Sequence, residues 1–263
     1  MPNDKFFEEY SEAYQNNFEI AEAKEITNIS RFLNREYLKG VEEYQRSGKV
    51  SNWEGYFKPE DIAVLYSILY MNIGVRFSKL YVNFFGEAYK PVIKPQQYSI
   101  LWRDYFRESG KRIAQYKGAG VSKTQQKELT RVIQRFHRNP EFQVMNEREA
   151  GRLLRSNVKQ LSVTRAKAIV RTEANAAANL ASERTAYDMF GKDALRKWWI
   201  TANDDRVRDA HVFAGIQYSR GKSIEADALF NVGGETMVRP SSGSIAANNI
   251  GCRCEAIYEP VNN

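Results

Sequence analysis

The sequence predicts an α+β protein, with a mainly helical N-terminal half and a C-terminal domain in which a long alanine-rich helix precedes a small sheet and long loops. Apolar side chains recur at three- and four-residue spacings through most of the first half, as in amphipathic helices. After Gly191 the pattern becomes strand-like, and Gly, Ser and Asn become frequent. We therefore divide the chain into a helical region, residues 1–160, and an α+β domain, residues 161–263.

The first two helices are predicted from periodicity and from residues at their ends. The first covers about residues 5–47 and ends at Ser47-Gly48. The second begins at Pro59, because proline in the first turn and the carboxylates that follow it favour a helix N-terminus. It runs to about Phe85, with Gly86 as a cap, and Pro91 and Pro95 then bracket a connector.

Glycine and serine predict breaks between the later helices. A helix over about 97–115 is interrupted at Gly118-Ala119-Gly120, and Ser122 is the N-cap of the next helix, which stops near Asn139-Pro140. A short helix over about 146–160 follows. Ser162 then caps the alanine-rich helix, and Gly191 fits the left-handed position after its end.

The predicted strands come after that helix. They are expected around Leu195–Thr201, Phe230–Val232 and Glu255–Glu259, and Gly233-Gly234 is interpreted as a turn.

Positive charge is concentrated in one region. The chain has 263 residues, a formal charge of +7 and a pI of about 9.2. Residues Lys94–Arg155 contain 14 Lys and Arg against six Asp and Glu, an excess larger than the net charge of the whole chain. Such a region can neutralise nucleic-acid phosphates. A solvated face or an acidic protein partner is the favoured interpretation, because no nucleic-acid-binding motif is present.

The two cysteines of the chain, Cys252 and Cys254, stand one residue apart before the last predicted strand. Side chains alternate along an extended segment, so both sulfurs would point to the same side. With His211 as a third ligand they form a candidate metal site, and zinc would require a fourth ligand. The alternative is that both cysteines are small buried apolar residues.

Four motifs occur in order along the second half. An Arg171-Thr172-Glu173 helix comes first, and an Asp-x-Arg-x-Arg-x-x-His run ending at His211 comes second, with Gly215 close behind. A turn-rich stretch is third, and Cys252-Arg253-Cys254 before a strand is fourth. This order resembles the C-terminal domain of the minor head proteins of tailed bacteriophages, the phage Mu-type head morphogenesis family. The resemblance covers roughly residues 125–259.

The resemblance implies a structural virion component without enzymatic activity and therefore without catalytic residues. Its implied partners are the portal protein and other head proteins, with packaged DNA as a further candidate and no membrane. Its implied location is the capsid interior or the portal vertex, after synthesis in the host cytoplasm, and its implied roles are head assembly or DNA ejection. The N-terminal helical region, 1–160, is then a candidate portal-docking arm.

The resemblance also bears on the site residues. Some members of the family carry Cys-x-x-Cys where this chain has Arg208-x-x-His211, so Arg208 replaces one ligand of such a set. Asp204, Asp205, Asp209 or water would have to take its place. We expect a second, structural set, in which charge-assisted hydrogen bonds among Arg171, Glu173, Asp205 and Arg208 hold the loops over the helix.

Two other functions stay open at this stage. Arg-Thr-Glu is similar to elements of ADP-ribosyltransferases and related toxin domains, but those enzymes use a terminal Glu-x-Glu, and Glu255 and Glu259 are four apart. A DNA-binding accessory protein is the other alternative, on the strength of the basic region. Neither Gly-x-Ser-x-Gly nor a phosphate-binding Gly-x4-Gly-Lys-Ser/Thr occurs in the sequence.

Overall fold

The computed structural model describes residues 3–49, 56–89 and 99–261. The α+β class is confirmed, because the protein is mostly helical and has a small antiparallel sheet in its C-terminal part. The connector predicted at Pro91 and Pro95 lies outside the described residues. No helix among the described residues is both long and apolar enough to cross a membrane.

Long helices account for most of the chain before the sheet. The first, predicted over residues 5–47, is confirmed, and the second begins at Pro59 as expected. Gly86 does not end the second helix, because a π-helical turn, Val82–Gly86, carries it onward. The helices are α1 Asp4–Ser47, α2 Pro59–Tyr81, α3 Glu87–Tyr89, α4 Ser99–Arg138, α5 Pro140–Gln143 and α6 Glu147–Phe190.

The breaks predicted at Gly118–Gly120 and at Ser162 are wrong, because α4 and α6 run through them. Both serines proposed as N-caps are buried within a helix and use their hydroxyls elsewhere. Ser122 donates to the carbonyl of Phe57, and Ser162 donates to the carbonyl of Val158 at 2.8 Å. A serine hydroxyl that bonds a carbonyl of its own or another segment is compatible with a helix interior.

The strands form two small sheets. In the larger one the order is β2-β1-β5 with antiparallel pairing, and β1 faces β5 along its whole length, from Leu195↔Pro260 to Ile200↔Glu255. A tight turn joins β3 and β4 through Gly233 and Gly234, at φ 59° and 84°, which is the positive-φ geometry that hairpin turns require. The elements are β1 Leu195–Ile200, α7 Asp209–Gln217, β2 Ile224–Glu225, β3 Phe230–Val232, β4 Glu235–Met237, α8 Ala246–Asn249 and β5 Glu255–Pro260.

The chain forms two compact units, each assembled from separate segments. The sheet unit comprises Met1–Glu22, Leu69–Arg107 and Arg171–Asn263, and the helical unit comprises Ala23–Ile68 and Glu108–Val170. These units do not follow the boundary placed at residue 160, which falls inside α6.

Each unit has its own core. In the sheet unit the core is largely aromatic: the rings of Tyr81 and Phe85 stack at 4.2 Å, and the Tyr81 hydroxyl donates to the carbonyl of Tyr258 on β5 at 2.6 Å. In the helical unit the core combines aromatic and aliphatic side chains that are fully or almost fully buried: Tyr37, Phe57, Ile62, Leu129, Ile133, Leu154 and Val158.

Candidate metal centre

One histidine nitrogen and two cysteine sulfurs converge in the sheet unit. The Nδ1 of His211 lies 3.3 Å from the Sγ of Cys254 and 3.6 Å from the Sγ of Cys252. The three candidate ligand atoms all lie within 4.8 Å of one another, and each residue is at most 2% exposed. This group could hold a metal ion.

Local structure explains the convergence. Cys252 and Cys254 lie in the short segment without regular secondary structure immediately before β5, and their sulfurs lie within 4.8 Å of each other, on the same side as predicted. His211 stands in the first turn of α7, a helix that the sequence analysis did not predict. The ring of Trp199, on β1, meets the His211 ring edge-on, with centroids 5.5 Å apart.

The pKa values of the two thiols are shifted in opposite directions. The pKa of Cys252 is lowered, because the Cys254 thiol hydrogen-bonds to it and His211 adds to the effect against the cost of burial. The pKa of Cys254 is raised, because of that same pairing with Cys252 and because of burial. A bound divalent cation would favour the deprotonated form of both cysteines, because thiolates are the metal ligands.

The donor set supplies three of the four ligands that a tetrahedral zinc ion takes. No Asp or Glu among the described residues joins the group of three. Of the carboxylates considered as replacements for a cysteine, Asp204 is engaged by Arg253 at 2.6 Å and by Arg206 at 3.0 Å, while Asp205 and Asp209 are exposed. The described residues therefore supply three ligands of a metal site, one fewer than structural zinc sites take.

Three of the four residues of the expected charged network have other partners. The Nε of Arg171 donates to Glu22 at 2.8 Å, and Glu173 accepts from the Tyr70 hydroxyl at 2.9 Å. Arg208 donates to the carbonyl of Ile250, and Asp205 is exposed. The physical reason lies in α6, because residues two apart on a helix point to different faces and cannot reach the same loop.

Two asparagines that the sequence analysis missed attach α6 to the cysteine segment. The side-chain amides of Asn175 and Asn179 both donate to the carbonyl of Cys254, at 3.1 and 3.0 Å. The Oδ1 of Asn179 also accepts from the backbone N–H of Ala256 at 2.9 Å, so one side chain bonds the backbone as a neighbouring strand would. Their signal in the sequence was a pair of amides four residues apart within a run of alanines.

A second missed contact joins the loop after β1 to the cysteine segment. Arg253, between the two cysteines, forms an ion pair with Asp204. Hydrogen bonds from Arg253 hold the pKa of Asp204 well below its usual range, with a further contribution from Arg206. The signal was the motif itself, since Asp204, and not the expected Asp205, has the spacing from His211 that Asp-x-Arg-x-Arg-x-x-His requires.

The start of α1 also reaches this region. Ser11 donates to the carboxyl group of Glu255, the first residue of β5. Complete burial raises the pKa of Glu255 to about 8, against the opposing effect of the Ser11 hydrogen bond.

The remaining candidate histidine does not contribute to the centre. His137 lies on the exposed side of α4 in the helical unit, where its Nδ1 is 2.9 Å from the Tyr44 hydroxyl.

Comparisons of the chain with protein-family models, with curated proteins and with solved structures find no match.

Proposed function

We propose that the chain is a structural minor head protein of a tailed bacteriophage, acting in head assembly or DNA ejection rather than in turnover. One observation supports this proposal above the others. The stretches that carry the resemblance meet in the sheet unit: α6 through Asn179, α7 through His211, and the cysteine segment through Cys252 and Cys254. Stretches that are far apart in sequence and meet in this way are what a shared domain requires, although Arg171 and Glu173 themselves bond to Glu22 and Tyr70.

Burial favours a structural role for this meeting point. The side chains of His211, Cys252 and Cys254 are almost completely enclosed, and the surrounding asparagine amides are engaged by the backbone. A substrate would need access to the reacting atoms, whereas a group that holds three chain segments together does not.

The proposed partners are the portal protein and other head proteins, and the proposed location is the capsid interior or the portal vertex. Mass spectrometry of purified particles tests this directly. We expect the chain in virions and in proheads at a low copy number, and cross-linking should connect it to the portal protein. Absence of the chain from both kinds of particle would refute the proposal.

We further propose that the metal is zinc, bound by His211, Cys252 and Cys254. Two thiolates and an imidazole suit this ion, and a structural zinc contributes directly to folding free energy. Elemental analysis of the purified protein should find about one zinc per chain. The variants Cys252→Ser and His211→Ala should lose the metal and melt at a lower temperature.

A matched control keeps the zinc test informative. His137→Ala removes the other histidine of the chain, which lies outside the centre, and should retain the metal. A wild-type protein that carries no zinc after purification in zinc-containing medium, or a Cys252→Ser variant that retains the full amount, would exclude this site.

A further inference from the structure

A row of basic side chains runs along the solvent-facing side of α4 in the helical unit. Its members are spaced by four, four, four and three residues, which keeps them on one face of a helix. They lie opposite the buried residues Leu129 and Ile133, and all five are exposed: Lys123, Lys127, Arg131, Arg135 and Arg138. At 1.5 Å per residue, the row is about 22 Å long with a cation about every 6 Å.

Most of these charges are free of acidic partners. Among the described residues, Arg131 is the one member of the row with a carboxylate within 4 Å, that of Glu128. The acidic groups of the helical unit lie mainly in the other segment. Ala23–Ile68 contains seven Lys and Arg and seven Asp and Glu, whereas Glu108–Val170 contains fourteen and five.

The neighbouring helix raises the positive potential of the same unit. Arg148, Arg152, Arg155 and Lys159 are exposed on α6 at spacings of four, three and four residues. Arg155 donates to the side chain of Gln45, which is uncharged. Summed positive charge of this kind attracts polyanions over a distance set by the salt concentration.

The absence of apolar companions indicates the type of partner. Protein interfaces place aromatic and aliphatic side chains at their centre. Within the described part of α4, the large apolar side chains that are exposed, namely Ile100, Leu101 and Tyr116, all lie before this row. A single-stranded nucleic acid would call for several aromatic rings on which bases stack, and Tyr116 is one ring beyond one end of the row.

We propose that this face of α4, Lys123–Arg138, binds the phosphate backbone of duplex DNA without sequence preference. Regularly spaced cations on a rigid helix neutralise phosphates and release counterions. The surface lies in the helical unit, remote in sequence from the metal ligands. Only the identity of the duplex as packaged phage DNA rests on the function proposed above.

The test is a fluorescence anisotropy titration of the full chain with a labelled 30-base-pair duplex of arbitrary sequence. If all five cations meet phosphates, affinity should fall about 500-fold between 50 and 200 mM salt. In the triple variant Lys123→Gln, Lys127→Gln, Arg135→Gln, two contacts remain and the fall should be about tenfold. The variant should also bind more weakly at 50 mM salt.

The control removes the same charge from another helix of the same unit. Lys24, Arg31 and Arg46 are exposed on α1, and their replacement by Gln should leave the salt dependence unchanged. Circular dichroism checks that both variants keep the wild-type helix content. An equal loss in the control would assign binding to net charge rather than to α4 and would overturn the proposal.

Two further outcomes would also overturn it. One is wild-type affinity in the α4 variant. The other is tighter binding of polyglutamate or of a duplex RNA of the same length, which would identify a different class of partner. Particle composition is measured separately, so virions that lack the chain would refute the virion role and leave duplex binding intact.

Discussion

Single side chains decide how the candidate metal centre is built. The sulfur pair could be predicted from spacing, because side chains alternate along an extended segment, and His211 could be predicted from the chemistry of imidazole as a metal ligand. Asn175 and Asn179 could not be predicted, because asparagine in a helix more often faces solvent, and only the tertiary contact shows that these amides replace strand pairing.

Replacing Asn179 by Ala should destabilise the protein by about 2–3 kcal/mol, since the carbonyl of Cys254 loses one donor and the N–H of Ala256 loses its acceptor in a buried region. Chemical denaturation measures the change, and zinc affinity should fall with it. Gln160→Ala, on an exposed position of the same helix, is the control. Equal stability of the two variants would contradict the bonding role of Asn179.

The buried amine of Lys197 should make the stability of the protein depend on pH. Its side chain is fully buried, donates to the carbonyl of Val238 at 2.5 Å and lies 4.7 Å from the centre of the Phe230 ring. Burial lowers the pKa of Lys197 to about 8, although Glu183 partly opposes this. Between pH 8 and the ordinary lysine pKa the unfolded chain therefore holds more protons than the folded protein, so this group adds stability as pH rises.

We expect the free energy of unfolding of the wild type to gain about 2 kcal/mol, relative to a Lys197→Met variant, between pH 7 and pH 9.5. Below pH 8 the charged form is present in both states and its cost in the folded protein is constant. Urea denaturation of both proteins across this range gives the difference. A difference that does not change with pH would mean that Lys197 titrates normally.

At the scale of elements, the sequence predicted helices where periodicity is strong and failed where local residues suggested a stop. Gly118 and Gly120 looked like a break, yet both lie within α4, because the packed face of the helix continues past them through Leu129 and Ile133. Tertiary packing outweighs the propensity cost of a glycine, which is only about 1 kcal/mol.

Helix α7 was not predicted from the sequence, because it is nine residues long and exposes Val212, Phe213 and Ile216, so it lacks a clear polar face.

Two glycine variants test the continuity of α4. Gly120→Ala should stabilise the protein by about 0.5–1 kcal/mol, because the position is helical and a Cβ there would have open space. Gly110→Ala should destabilise it, because the same atom would overlap the backbone carbonyl of Tyr66. Thermal unfolding of both variants is the measurement. A loss of stability in Gly120→Ala would show that the helix is interrupted there.

At the scale of the whole molecule, the division into units could not be predicted from composition. The amino-acid composition does change near residue 160, but the change marks the start of the alanine-rich stretch within α6 rather than a boundary between units. Each unit draws on segments far apart in sequence, and such pairings leave no local pattern.

Two fragments divided at residue 160 should therefore fail to fold. Residues 161–263 lack Tyr14 and Tyr81, which in the full chain are buried in the same unit as β5, and Tyr81 bonds Tyr258 directly. We expect each fragment to show no cooperative thermal transition, whereas the full chain unfolds cooperatively. A fragment 161–263 with native-like near-ultraviolet dichroism would contradict this interpretation of the units.

The position of β5 has a consequence for folding during synthesis. This strand pairs with β1, accepts the Tyr81 hydroxyl and follows both cysteines, yet it leaves the ribosome after every other described element. Both segments of the helical unit, the second of which ends at Val170, leave the ribosome earlier and can fold first. The nascent sheet unit must therefore wait, with its aromatic side chains uncovered, until the final strand emerges, so a chaperone or a delay in translation would act on this unit first.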